Sequence, residues 1–252
     1  MNRTLVLKGS LGDHVVYTGI PEAFYKKFGI KLFVESPYFP LWENNPFVTT
    51  ERLDDVFKME YEQTEEDWNM YKPRRVFMQM TGVDPEKESL SVSPNLYKTR
   101  NIEPNLIIVN DEAGWPSRRG FLHWDSLLTA LRKKGFKIIS LKTTTYRDCT
   151  GQLVENPITV FDEQIINPAL STVIDLLSRA KYYIGYESAY AHIAGALGVK
   201  YILFLGSLPE ICIKHPSCIH VITSCKVPCH KEVCARSCLK DVNAIDLQQW
   251  IV

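Results

Sequence analysis

Apolar runs of strand length alternate with stretches of helical period along most of this chain. Residues 4–8 (TLVLK) are predicted as a strand, and 14–28 as a helix that carries Val15, Ile20, Phe24 and Phe28 on one face. Residues 31–35 (KLFVE) form the next predicted strand, so the chain opens as a βαβ unit. Residues 36–103 are less regular, rich in Pro, Tyr, Trp and acidic side chains, and support no element assignment. Regularity returns at 105–110 (NLIIVN), followed by a helix over 123–134. Further strands are predicted at 137–141, 157–161, 182–187, 201–206 and 219–223, with helices at 169–180 and 188–197 between them. The last ten residues, NAIDLQQWIV, read as a terminal helix with Ile245, Leu247 and Trp250 available for packing.

The βα alternation thus occurs in two blocks. Their boundary is expected at TRNIEP (99–104), which carries a proline and no hydrophobic period, giving domains of 1–103 and 104–252. Two α/β domains place a ligand in the cleft between them, at the carboxyl ends of the strands. Three loops lie at such ends: GSLGD after the first strand, NDEAGWPSRR after the strand at 105–110, and YESAYAH after the strand at 182–187.

Composition narrows the classes. At 252 residues and 45% hydrophobic content the chain can bury one large core or two modest ones. Its 29 basic and 29 acidic residues cancel, so the total charge draws it to neither nucleic acid nor anionic lipid. No signal-peptide pattern or bilayer-length apolar run is present, so the expected compartment is the cytoplasm, with any membrane role peripheral, at the inner face. Of seven cysteines, six lie between Cys212 and Cys238. Cys225, Cys229, Cys234 and Cys238, with His230 beside the second, could wrap a structural zinc, or could pack as small hydrophobes.

The first loop is not a dinucleotide fingerprint, since GSLGDH has G-x-x-G-D in place of G-x-G-x-x-G. Locally, Gly9 and Gly12 are suited to a tight turn and Asp13 to the N-cap of the helix that follows. Four segments, however, resemble glycosyltransferase family 9, the heptosyltransferases. LVLKGSLGDHVVYTGIPEAF looks like the family's opening strand, turn and helix. LSRAKYYIGYESAYAHIAGALGVKYILFLGS is similar to its hallmark of a strand, an acidic residue, Ser or Thr, a small residue, a histidine and a small-residue helix. VNDEAGWPSRRGFLHWDSLLTALRKKGFKII is similar to its donor loop, and CKVPCHKEVCARSCLKDV echoes a cysteine-containing segment near the end of many members.

The resemblance implies an α/β GT-B fold: two Rossmann-like domains facing across a cleft, the N-terminal one shortened. It further implies an inverting transfer from a nucleotide-diphosphate sugar, with no metal or other cofactor required for catalysis. Asp13 would be the general base, with Gly9, Ser10 and Gly12 forming the acceptor-side loop. Asn110, Arg118 or Arg119, Glu187, Ser188, Ala189 and His192 would surround the donor, and Trp115 lies in the donor loop. Glu187 stands where Asp is usual and Ala189 where Gly is usual, so the sugar pocket is expected to differ from that for a heptose. The expected acceptor is a glycan, such as a lipopolysaccharide core. A phage-type transferase acting on hydroxymethylated DNA bases is the alternative, supported by the basic and aromatic stretches MYKPRR (70–75) and NLYKTR (95–100). A non-catalytic nucleotide-binding module is a third.

Overall fold

The computed structural model describes residues 3–52, 54–59, 70–111, 123–142, 160–205, 210–222 and 247–251. Two parallel sheets organise them. The first has the order β2-β1-β3, from β1 (Arg3–Val6), β2 (Phe33–Glu35) and β3 (Asp55–Lys58). Between β1 and β2 lie α1 (Leu11–Val16), a 3₁₀ turn (Tyr17–Gly19) and α2 (Ile20–Phe28), and after β3 comes α3 (Lys72–Thr81).

The second sheet contains β4 (Leu106–Asn110), β5 (Lys137–Lys142), β6 (Glu163–Ile166), β7 (Tyr182–Tyr186), β8 (Lys200–Phe204) and β9 (Cys218–Ile222). Its spatial order is β6-β5-β4-β7-β8-β9. Helices α4 (Trp124–Lys133), α5 (Leu170–Arg179), α6 (Ala189–Ala196) and α7 (Glu210–Ile213) fall between its strands. Renumbered from β4, this is the 3-2-1-4-5-6 order of a doubly wound nucleotide-binding sheet. Its chain order reverses between β4 and β7, and the crevice outside their carboxyl ends is where such sheets bind ligands. Both strands are buried along their full length, as strands covered on both faces must be.

A single apolar cluster joins the two sheets, running from Leu5, Val15 and Val16 to Leu106, Ala191 and Leu205. Helix α1 packs on α6, which brings the loops after β1 and β7 together. A second cluster, with Trp124, Leu128, Ile184 and Phe204, fills the other face of the larger sheet.

Three expectations need correction. The helix expected over 14–28 is broken at Tyr17–Gly19. Pro21 has no N–H to continue the α ladder, Thr18 Oγ1 bonds the Val15 carbonyl at 2.8 Å, and the turn tightens to 3₁₀. Gly19 has to be glycine there, because a Cβ would overlap the Ser93 carbonyl. Of the strand expected at 157–161, residues 157–159 lie outside the described residues, and Val160 and Phe161 lie in no strand; a strand follows as β6, Glu163–Ile166, at the sheet edge where exposure removes the hydrophobic signal. At the chain end, Leu247 packs as expected. Trp250 instead stays 41% exposed, stacked on His220 with ring centroids 4.5 Å apart, and Ile245 lies outside the described residues.

Within 36–103 the structure places β3, α3 and a long extended stretch. Arg100 ends that stretch by donating to the carbonyls of Ser178, Ala180 and Gly198, which ties it to α5 and α6.

Candidate functional site

The site is built from the starts of three helices. After β1 the chain turns at Gly9, whose φ of 114° only glycine adopts readily. Ser10, in extended conformation, is the N-cap of α1, and Asp13 is its third residue. Asp13 Oδ2 accepts from the Ser10 backbone N–H at 2.9 Å and from Ser10 Oγ at 2.8 Å, the return half of a capping box. Asp13 therefore is not the N-cap that local sequence suggests. A Cβ on Gly9 would stand 2.7 Å from Asp13 Oδ2, so Gly9 leaves room for the carboxylate to fold back over the turn.

The other carboxylate oxygen, Oδ1, faces Lys72 Nζ at 3.7 Å. Lys72 is the first residue of α3, with Pro73 next to it in the first turn, where a missing N–H costs nothing. Both side chains are largely buried, at 18% and 12% exposure, so screening by water is reduced without being removed.

Opposite Asp13 lies the start of α6. Ser188 is its N-cap, with Oγ accepting from Ala191 N at 3.4 Å and lying 3.3 Å from the Tyr183 hydroxyl. The first amides of α6 carry the positive end of the helix dipole, which favours an anion. A Cβ on Gly12 would stand 3.4 Å from His192 Cδ2 and 3.6 Å from Ala189 Cα, so the loops after β1 and β7 lie in near contact. Gly9, Ser10, Gly12, Asp13, Ser188, Ala189 and His192 thus occupy one place.

His192 is buried on α6 and its Nδ1 lies 2.8 Å from His215 Nε2. His215 Nδ1 in turn lies 2.8 Å from the Tyr71 hydroxyl, and the His215 backbone N–H donates to the Tyr201 hydroxyl at 3.1 Å. Burial pushes His215 down to about 4. His192 is pushed well below its ordinary value, first by burial and then by the nearby His215 and Lys72. Both rings are neutral at pH 7, while burial raises the Tyr71 phenol so that it keeps its proton.

Across the crevice from β7, Asn110 ends β4, paired with Gly185, and its Nδ2 donates to the Leu141 carbonyl at 2.9 Å. Next to it Asp111 forms an ion pair with Lys142 at 3.4 Å, their side chains 0% and 8% exposed. Glu187 follows β7 with its backbone N–H bonded to the Phe204 carbonyl at 3.1 Å. Arg118, Arg119 and Trp115, expected in the donor loop, and Cys225, Cys229, Cys234 and Cys238, expected as metal ligands, lie outside the described residues.

Lys72, Tyr71, His215 and the Asp111–Lys142 pair have no expectation behind them as site residues. Lys72 falls in the stretch MYKPRR, where its basic character suggested DNA contact. In the structure those charges have partners within the chain. Lys72 faces Asp13, Arg74 pairs with Asp84 through bonds of 3.0 and 2.8 Å and with Glu86, Lys98 pairs with Asp175 at 3.1 Å, and Arg100 is bonded to main-chain carbonyls. A cavity lined by Lys181, Tyr182, Lys200 and Trp250 opens at the amino ends of β7 and β8, the edge opposite the one where doubly wound sheets bind ligands.

Comparison with solved structures identifies the fold. The dodecameric iron-containing heptosyltransferase TibC of enterotoxigenic E. coli, in complex with ADP-D-β-D-heptose, superposes with a TM-score of 0.74 at 15% identity, covering 99% of this chain and 74% of TibC. The E. coli ADP-heptose lipopolysaccharide heptosyltransferase II gives 0.70 at 12% identity, covering 100% of this chain and 97% of its own. A family 9 glycosyltransferase from Veillonella parvula gives 0.72 at 10%, covering 98% and 95%. The chain thus has the α/β fold of the GT-B heptosyltransferases. No protein-family model matches the sequence, and no curated protein matches it either.

Proposed function

We propose that a chain with this fold and this site is an inverting glycosyltransferase, moving a sugar from a nucleotide-diphosphate sugar to a hydroxyl acceptor. The observation that carries the proposal is the approach of the Asp13 loop to the first turn of α6, through Gly12, Ala189 and His192. A carboxylate on a loop that adjoins a helix start is the arrangement that such a transfer needs: a base on the side of the incoming hydroxyl, and fixed positive dipole on the side of the leaving diphosphate.

In this reading the nucleotide sugar lies in the crevice outside β4 and β7, in the half formed by 104–252, and the acceptor enters from 1–103. The acceptor oxygen bonds to the anomeric carbon as the bond from that carbon to the phosphate oxygen breaks. Asp13 takes the hydroxyl proton and the leaving phosphate takes the electron pair. Ser10 holds Oδ2 through two bonds, which aims Oδ1 and leaves it as the basic atom. Lys72 faces that carboxylate at 3.7 Å and, one residue from Tyr71, marks where α3 meets the cleft. Arg118 or Arg119 would add positive charge to the diphosphate from the donor loop, and Glu187 would accept from sugar hydroxyls. ADP-heptose, the donor bound in the TibC structure, is the first donor to test. A glycan acceptor is preferred over DNA, because the basic residues of 70–75 and 95–100 named above are already paired with carboxylates or main-chain carbonyls of this chain.

The four-cysteine segment is proposed as a structural metal site apart from the chemistry. TibC is iron-containing, so elemental analysis of untagged protein should read iron beside zinc.

Asp13→Asn tests the central claim. The amide oxygen can still accept from Ser10, so folding is spared, while the base is lost and turnover of a nucleotide sugar should fall by about 10²–10⁴. Unchanged turnover in a folded variant would remove Asp13 as base.

A further inference from the structure

The chain Tyr71, His215, His192 is continuous, buried at its two histidines, and unexplained by the transfer chemistry above. It starts at the N-cap of α3, passes through His215 in the turn before β9, and ends on α6, so it crosses from the smaller sheet's helices to the larger sheet's. One glycine makes room for it: a Cβ on Gly195 would overlap the His215 ring, while Gly12 lies close beside the Cδ2 edge of His192.

The donors and acceptors along this chain have one consistent order. A phenol O–H is a better donor than acceptor beside an imidazole nitrogen, and Tyr71 keeps its proton. The Ser93 hydroxyl, which also bonds Tyr71, can donate to the phenol oxygen and leave the phenol proton for His215. With Nδ1 of His215 accepting, a neutral His215 carries its proton on Nε2 and donates it to His192 Nδ1. A neutral His192 must then carry its proton on Nε2, adjoining the Cδ2 edge that lies against the Gly12 loop.

We propose that Tyr71 and His215 are positioning residues that hold the His192 proton on Nε2, so that His192 offers a hydrogen-bond donor to an anionic ligand between the starts of α1 and α6. The inference rests on the reading above only for the ligand, a nucleoside diphosphate. The tautomer itself stands on the geometry. A neutral donor suits this place, since Lys72 already supplies a cation nearby and a second charge would be repelled.

The test is long-range ¹H–¹⁵N NMR of histidine-labelled full-length protein at pH 7.5, with calorimetric binding of ADP, GDP and UDP. His192 and His215 should both appear neutral with the proton on Nε2. Tyr71→Phe removes the phenol that orders the chain, so both rings should become tautomer mixtures, and binding of the preferred diphosphate should weaken between twofold and about tenfold. His215→Gln should rescue, because its amide can accept from Tyr71 and donate to His192 Nδ1. This second variant also keeps the test open if Tyr71→Phe does not fold.

His192 found with its proton on Nδ1, or unmoved by Tyr71→Phe, would overturn the inference and leave the transferase proposal intact. The expected tautomers with diphosphate binding equal in wild type and Tyr71→Phe would also overturn it, as the donor would then serve no ligand. The expected tautomers with no binding of any diphosphate would keep the ordering by Tyr71 but overturn the ligand assigned to His192, and would count against the transferase.

Discussion

Mild acid should destabilise this protein through its buried histidines. His215 is 1% exposed, and burial lowers it from 6.5 to about 4. In the unfolded chain the same imidazole titrates near its ordinary value, so between these limits the unfolded state binds the proton and the folded state does not. Stability from this group is therefore complete above about pH 6.5 and is lost as the pH falls toward 4. At about 1.36 kcal/mol for each pH unit, the drop from 6.5 to about 4 amounts to about 3 kcal/mol, a large share of the 5–15 kcal/mol typical of a folded domain. His192 acts in the same direction. Urea denaturation at pH 7.5, 6.5, 5.5 and 4.5, with the slope m checked for constancy, would read the loss as a falling midpoint. The wild type should be compared with His215→Gln, which fills the same place without a proton to bind. Asp84 and Asp175 are held below the ordinary carboxylate range by Arg74 and Lys98, so their contribution is lost at still lower pH, equally in both proteins. A stability difference between the two proteins that is flat from pH 7.5 to 4.5 would refute the argument.

Two further substitutions probe the site's supports. Gly9→Ala meets both a φ of 114° and the Asp13 carboxylate, whereas Gly29→Ala, at a φ of 70° with nothing within 4 Å, meets only the backbone penalty. Denaturation midpoints should show the larger loss for Gly9→Ala, about 1–3 kcal/mol from the backbone alone, and turnover should fall with it as Asp13 is displaced. Lys142→Met leaves Asp111 as a buried carboxylate without its cation and should cost about 3–5 kcal/mol at pH 7, while Lys142→Met with Asp111→Asn together should recover part of that loss. Equal stability of the Lys142→Met protein and wild type would show that this pair has no structural weight.

What the sequence made legible follows the range of each signal. The strands β1, β4, β5, β7, β8 and β9 are dense apolar runs, and their burial is local enough in origin to be read directly. Gly9, Gly12, Asp13 and Ser188 stand within a few residues of a strand end, so their pattern is visible as a motif. β6 carries the sequence EQII at a sheet edge, and no hydrophobic run announces it. Tyr71, Lys72 and His215 reach the site only because α3 and the turn before β9 fold back onto α1 and α6, a relation across up to 144 residues that no spacing encodes. The same holds for the basic residues of 70–75 and 95–100. In a list they are positive charges, and only packing reveals that their partners are Asp13, Asp84, Glu86, Asp175 and main-chain oxygens.

Proteins that open and shut by a hinge usually divide along a seam that shares little apolar surface. Here the seam between the sheets is apolar, because α1 lies on α6 and Val15, Val16 and Ala191 belong to one uninterrupted cluster. Swinging the halves apart would wet that surface, at an energetic cost that grows with every square ångström exposed. Entry and departure of a ligand are then expected at the rim of the crevice, with the two lobes staying docked. On this view the tempo of turnover would be set by side chains and short loops at the mouth, and small-angle scattering with and without a nucleoside diphosphate should give one unchanged radius of gyration.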